Sequence, residues 1–193
     1  MTLAAIVLAA GAATRFGGGK LAAQFRGEPL LIHAVRAARA APVRRVIVVT
    51  GSGLDTGEWD DGPIVEVVRL KSGALSESLK AGIAAAGDAD GAFVFLGDMP
   101  LVPHDVAARL LPLLAASYAA VPRHQGTPGH PVLLSRRAFA DIATLDGDEG
   151  AGRLLKRRSD VAWLDIADCA ILIDIDRRED LARLERGIER GED

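Results

Sequence analysis

The sequence predicts an α/β fold: a single-domain, Rossmann-like three-layer sandwich with a mainly parallel central sheet, spanning residues 1–193. Two observations lead there. Short apolar runs rich in Val, Ile and Phe alternate with Ala- and Leu-rich stretches of helical period, an order that implies βαβ crossovers. The 193-residue length suits one domain, and an apolar share of 49% with 4% aromatics suits helices packed on a sheet and excludes disorder.

The elements follow in order. Residues 3–8 form a buried strand that runs straight into a glycine-rich loop. Pro29 suits a first helical turn, and Leu30, Leu31, Ala34, Val35 and Ala38 keep one helical face apolar up to Pro42. Residues 45–50 (RVIVVT) and 64–68 are strands, 76–86 a helix ended by Gly87, and 91–96 (GAFVFL) a strand that stops at Gly97. Pro103 opens the next helix. Short strands at 118–121 and 132–134 flank the loop 125–131, and Asp148 is placed to cap a helix ending near Arg157. Strands at 161–166 and 171–175 and a helix over 179–188 complete the chain. In parallel sheets ligands bind at the carboxyl ends of strands, so the loops after residues 8, 96 and 175 should carry the chemistry.

A formal net charge of −3 argues against a general nucleic-acid binder, which needs a basic face. The single cysteine, Cys169, excludes an internal disulfide and a cysteine-built zinc site, and beside a predicted strand it reads as a small core filler. Residues 1–10 are apolar but lack a basic flank and are too short to span a bilayer, so no membrane role is expected and the cytoplasm is the default location.

The loop LAAGAATRFGGGK carries Gly11, Gly17, Gly18 and Gly19 together with Arg15 and Lys20. Glycines allow close backbone approach, and amides plus two cations make a phosphate receptor. A Walker A loop is excluded, because Thr14 and Leu21 stand where that motif needs Gly and a hydroxyl residue. A dinucleotide fingerprint is excluded because Gly11 is followed by Ala12 and Ala13.

Acids answer the cations. Asp98 follows the strand GAFVFL, a good position for holding a hard cation such as Mg²⁺. In Ile171-Leu172-Ile173-Asp174-Ile175-Asp176, alternation puts Asp174 and Asp176 on one side of an otherwise apolar strand, where a cation is the natural partner. Helix capping by Asp176 is the rival explanation.

These blocks, taken in order, resemble the MobA-like nucleotidyltransferases across nearly the whole chain. LAAGAATRFGGGK is similar to the family's LAAGxSxRMGxxK, with Phe16 in place of Met and Ala13 in place of Ser. Residues 96–100 resemble LGDxP, and 174–181 resemble DIDTPEDL, with Arg177 and Arg178 in place of Thr-Pro. The resemblance implies the nucleotide-diphospho-sugar transferase type of fold. It also implies nucleotide binding by Leu8, Ala9, Ala10, Gly11, Arg15 and Lys20, catalytic roles for Arg15, Lys20 and Asp98, and Mg²⁺ held by Asp98 and Asp176, with Asp174 the lesser candidate.

Residues 72–82 resemble the family's GMSxSLxxGL block, which implies nucleotide contacts for Ser76 and Ser78; on its own Ser76 reads as a helix N-cap. Residues 126–131 resemble GxxGHP, which places His130 near the acceptor substrate, and Arg123 is a further candidate for attracting an anionic acceptor. Residues 147–151 resemble GDxGaR, with Arg153 slightly displaced. Arg153, Lys156 and Arg157 could also attract an anionic acceptor, but a solvated helix face is their default reading. Within the family the cytidylyl branch carries LAAG and the guanylyl branch LAGG, so Ala10 leans toward CTP. The implied reaction is CMP transfer from CTP to molybdopterin carrying molybdenum, with release of pyrophosphate and a molybdoenzyme receiving the product. GTP with the same acceptor, a sugar or polyol phosphate acceptor, and a non-catalytic cofactor carrier are the alternatives.

Overall fold

In the computed structural model, residues 1–11, 13–51, 53–71 and 74–189 are described, of 187–189 the backbone alone. Ala12, Ser72 and Gly73, which the motifs assign to nucleotide-binding blocks, lie outside the described residues.

Strand β1 (Leu3–Ala9) is central, and its composition explains why. Leu3, Ala5, Val7 and Ala9 point into one layer, against Leu31, Ala34, Val35 and Ala38 of helix α1 (Leu30–Arg39). Ala4 and Ile6 point into the other, against Leu79, Ile83 and Ala86 of helix α2 (Leu75–Ala86). A strand covered on both faces must be apolar at every position, hence the unbroken run. Ile6, Leu31 and Leu79 are almost fully buried, and each such side chain contributes about 1.5–3 kcal/mol of burial free energy.

The sheet order places the site. Strands β4 (Arg45–Thr50) and β6 (Gly91–Leu96) flank β1 in parallel, and β5 (Ile64–Arg69) pairs with β4 in parallel. The chain leaves β1, crosses by α1 to β4 on one side, then returns by α2 to β6 on the other. Strand order therefore reverses about β1, and the crevice outside β1 and β6 is the expected ligand site of such sheets. The Gly97 amide donates to the Leu8 carbonyl at 2.9 Å, holding the two strand ends together there.

Beyond β6 the pattern changes. His104 and Asp105 form a turn, so helix α3 (Val106–Leu110) starts later than Pro103 suggests, and a 3₁₀ turn, Leu111–Leu114, extends it. Strands β7 (Ala119–His124), β9 (Val132–Ser135) and β10 (Val161–Asp165) finish the sheet, with β8 (Thr127–Pro128) pairing only with β7. Strand β9 lies between β6 and β7 and is antiparallel to both, whereas β10 is parallel to β7. Two-residue strands β2 (Gln24–Phe25) and β3 (Glu28–Pro29) form a hairpin before α1, so Pro29 precedes that helix rather than opening it. Helices α4 (Arg137–Ile142), α5 (Ala151–Leu155) and α6 (Arg178–Glu189) complete the outer layers.

Three local expectations are corrected. Residues 171–175 are not a strand: Cys169–Leu172 is a 3₁₀ turn followed by an extended, unladdered stretch. Its polar backbone groups pair elsewhere, with the Ile171 carbonyl accepting from His130 N at 3.0 Å and Ile175 N donating to the Asp98 carbonyl at 3.0 Å. Cys169 is exposed, not a core filler. Asp148 does not cap α5, whose N-cap is Gly150 with no side-chain hydrogen bond. Among the described residues, no helix is long and apolar enough to cross a membrane.

Candidate active site

The glycine-rich loop leaves β1 at Ala10 and turns back on itself. Gly17, Gly18 and Gly19 have φ of +85°, +90° and +65°, three successive left-handed positions that side chains strongly resist. The Phe16 and Gly18 amides both donate to the Ala13 carbonyl, at 3.1 and 3.2 Å, closing the turn. Phe16 then plugs a small apolar cluster with Phe25, Leu30 and Ile175. That plug is the physical link between the loop and the segment carrying Asp176. Alternation survives there without a strand: Ile175 is buried, while Asp174 is exposed and Asp176 is partly exposed.

Charges converge at this junction. Lys20 Nζ donates to Asp98 Oδ2 at 2.7 Å and to Asp176 Oδ1 at 3.2 Å, and Arg15 reaches Asp176 Oδ2 at 3.1 Å. Lys20 is 9% exposed, and an ammonium so placed must be paired. Burial disfavours its charge, but hydrogen bonds and charges from Asp98 and Asp176 outweigh that and hold its pKa above the ordinary lysine value. The Lys20 hydrogen bond, aided by Arg15, keeps the Asp176 carboxyl below the ordinary aspartate value. Asp174 behaves oppositely: burial, then the charges of Asp176 and Asp98, push it up, and it joins none of these pairs.

Two carboxylates that share one ammonium also lie within reach of a single small cation. Among the described residues no group of three or more potential metal ligands gathers. Mg²⁺ suits such a place, since it is bound by one or two carboxylates and takes its remaining ligands from substrate phosphates and water. The donor set fits.

The cleft above this pole measures about 240 Å³. Its walls include Leu8, Ala9, Ala10, Gly11, Lys20 and Asp98 from the loops after β1 and β6, with Ser78 from α2. Ser78 donates its hydroxyl to the Ala74 carbonyl at 3.1 Å. Ser76 is placed differently. It is fully buried in the first turn of α2, its amide donates to the Gly147 carbonyl at 3.2 Å, and its hydroxyl has no partner among the described residues. It supports the cleft wall from behind. Leu75 and Asp148 also line the cleft, and sequence reasoning missed both. The available signal was the GDxG block, whose glycines let a loop lie flat on α2: a Cβ on Gly150 would stand 2.9 Å from Leu75 Cδ2.

A second cavity of about 410 Å³ adjoins the first and shares Leu8, Leu75 and Leu96 with it. Its other walls are largely aliphatic, with His130 and Trp163 among them and Arg153 and Lys156 contributing cations. His130 Nδ1 lies 3.3 Å from the Val94 carbonyl oxygen. Burial holds this imidazole below the ordinary histidine value, against the opposing pull of Val94, Asp98 and Asp174. Gly129 beside it admits no side chain, since a Cβ would come within 2.5 Å of the Ile171 carbonyl oxygen. Arg123 lies elsewhere: it is forked onto Asp165 at 2.7 and 3.1 Å and lines neither cavity. Arg153 is paired with Glu149 in the preceding loop.

With this geometry established, comparison with known proteins is informative. The profile of the MobA-like NTP transferase domain matches residues 5–161. The purine catabolism protein PucB of Bacillus subtilis is 29% identical over 200 residues, 96% of this chain and 97% of its own. A probable molybdenum cofactor guanylyltransferase of Thermococcus sibiricus is 35% identical over 98 residues, 50% of this chain and 48% of its own. Among solved structures, the manganese complex of Rv0371c from Mycobacterium tuberculosis H37Rv superposes with a TM-score of 0.79 at 29% identity, covering 96% of this chain and 99% of that one.

Proposed function

The chain belongs to the MobA-like NTP transferase family, and from that premise we propose that it transfers CMP from CTP to molybdopterin carrying molybdenum, releasing pyrophosphate. Nucleotidyl transfer itself follows from the family. The observation that carries the site is the Lys20 ammonium, 2.7 Å from Asp98 and 3.2 Å from Asp176 on the floor of a cleft walled by the glycine-rich loop. Ala10, in the LAAG form of that loop, is the support for CTP.

In this mechanism Asp98 and Asp176 hold Mg²⁺, with Asp174 beside them as the weaker candidate. The ion's chemistry is to neutralise charge on the α-phosphate. That the family tolerates a divalent metal is supported by the manganese complex of Rv0371c. Lys20 and Arg15 exchange their carboxylate partners for the β- and γ-phosphates, with loop amides completing the grip. The terminal phosphate oxygen of the acceptor attacks the α-phosphorus in line. The bond from the α-phosphorus to the bridging oxygen breaks, and the electron pair leaves on pyrophosphate. Catalysis is positioning and charge neutralisation. A phosphate nucleophile is already ionised near neutral pH, so His130 has no proton to take and serves to shape the acceptor cavity. Of the basic residues considered for the acceptor, Lys156 and Arg153 line that cavity and Arg123 does not. The apolar walls suit a heteroaromatic body better than a sugar or polyol phosphate.

GTP with the same acceptor is the second reading, favoured by relatives named as guanylyltransferases. Pyrophosphate release measured with each of the four NTPs and loaded molybdopterin separates the two. CTP dominance is expected, GTP dominance moves the base assignment, and faster turnover with plain sugar phosphates overturns the acceptor.

A further inference from the structure

The loop 146–150 carries three acids, and two are used internally. Asp146 Oδ1 accepts from the Gly147 amide at 2.8 Å, and Glu149 pairs with Arg153 and accepts from Asp146 N at 3.4 Å. Asp148 makes no hydrogen bond or ion pair among the described residues, yet it lines the nucleotide cleft. The loop is fixed there by the bond from Ser76 N to the Gly147 carbonyl and by Gly150 lying against Leu75. Asp148 is solvent-exposed as the structure stands, but a polyanion bound in the cleft displaces water from it, and the carboxylate is then unfavourable unless it meets hydrogen-bond donors. A carboxylate can only accept. The phosphates bring no donors, whereas the nucleoside does.

We propose that Asp148 reads the donor nucleotide by accepting hydrogen bonds from its nucleoside. The inference rests on the reading of this cleft as the triphosphate site. Donors of the right kind occur in two places, the base edge and the ribose diol. On the base edge, cytosine offers its exocyclic N4 amine and guanine its N1 and N2 groups, whereas uracil presents carbonyl oxygens beside its single N3–H. On the ribose the 2′-hydroxyl, common to every ribonucleotide, is the donor that a 2′-deoxy analogue lacks.

The test is equilibrium binding of the non-hydrolysable α,β-methylene analogues of CTP, GTP, UTP and 2′-deoxy-CTP to the full chain and to its Asp148→Asn and Asp148→Ala variants. Hydrogen bonds to a charged group are strong enough that their loss should cost about tenfold or more in affinity. If the base edge is read, both variants lose the preference of CTP or GTP over UTP by about that factor. If the ribose is read, CTP and UTP weaken together and the preference for CTP over 2′-deoxy-CTP disappears. A uniform change on all four analogues in either direction, or no change, overturns the proposal. Lys20→Met keeps the two levels apart. If this variant binds the analogues as tightly as the parent chain does, the cleft reading fails and takes this proposal with it. If it weakens every analogue while the Asp148 variants keep their selectivity, the Asp148 proposal alone fails.

Discussion

The two cavities that meet at Leu8, Leu75 and Leu96 are built on opposite principles. At the charged pole the cations are paired: Lys20 holds Asp98 and Asp176, and Arg15 holds Asp176. In the second cavity the walls are largely aliphatic, burial disfavours the charged form of His130, and Lys156 joins no ion pair among the described residues. On the proposed mechanism the pole is a set of charges that must change partners to work, with metal and triphosphate each taking what the other releases. The second cavity, on the same reading, selects the acceptor by shape without rearrangement.

The largest effect should come from breaking the pole. Asp98→Asn is expected to lower pyrophosphate release by about a thousandfold or more, because it removes a metal carboxylate and a Lys20 partner together. Full activity in that variant would refute the mechanism. Lys20→Met should cost turnover about a hundredfold while tightening nucleotide-free Mn²⁺ binding, followed by electron paramagnetic resonance, by about tenfold. Weaker Mn²⁺ binding would show that Lys20 orders the carboxylates rather than competing for them.

A smaller contrast lies in acid. Because burial holds His130 below its ordinary value, the unfolded chain takes up the proton first as pH falls through about 6.5, and the folded state loses stability from there downward. Asp176, whose pKa is lowered by Lys20, keeps its charge throughout that window, and the stability it contributes is lost only below the ordinary aspartate range. The melting temperature of His130→Gln should therefore fall less between pH 7 and pH 5 than that of the parent. The smallest effect is expected from Arg123→Ala. Its guanidinium is engaged with Asp165 on the surface, so the acceptor KM should stay within about twofold.

The first half of the fold was legible because β1, β4 and β6 are buried on both faces and read as unbroken apolar runs bounded by glycine or polar turns. The loops after residues 8 and 96 were legible for the same reason, since strand ends locate them. Residues 171–175 were misread because alternation reports an extended chain with one buried side, and a ladder is not required for that. Ile175 is buried by Phe16 and its cluster, not by a neighbouring strand. Asp148 was misread because an acid shortly before a helix is a capping signal, and Gly150 took that place. Ser76 likewise had the spacing of a cap but sits within the first turn of α2, with Ala74 at the cap. Of the second cavity, His130 was marked in the sequence by the GxxGHP resemblance; the other walls come from residues as distant as Leu8 and Trp163, which read locally as ordinary core or surface.

The reversed strand β9 marks a seam in the sheet. Arg15, Lys20 and Asp98 all come before it in the chain, whereas the second cavity draws its walls from both sides, from Leu8 to Trp163. On the reading proposed above, an engineered trade of one acceptor pocket for another beyond that seam would leave the triphosphate loop untouched. Asp176 is the exception that constrains the trade, because it returns from the far half to the donor pole on the backbone bond between Ile175 and Asp98. A successful graft must therefore bring its own returning strap, cut to the same length.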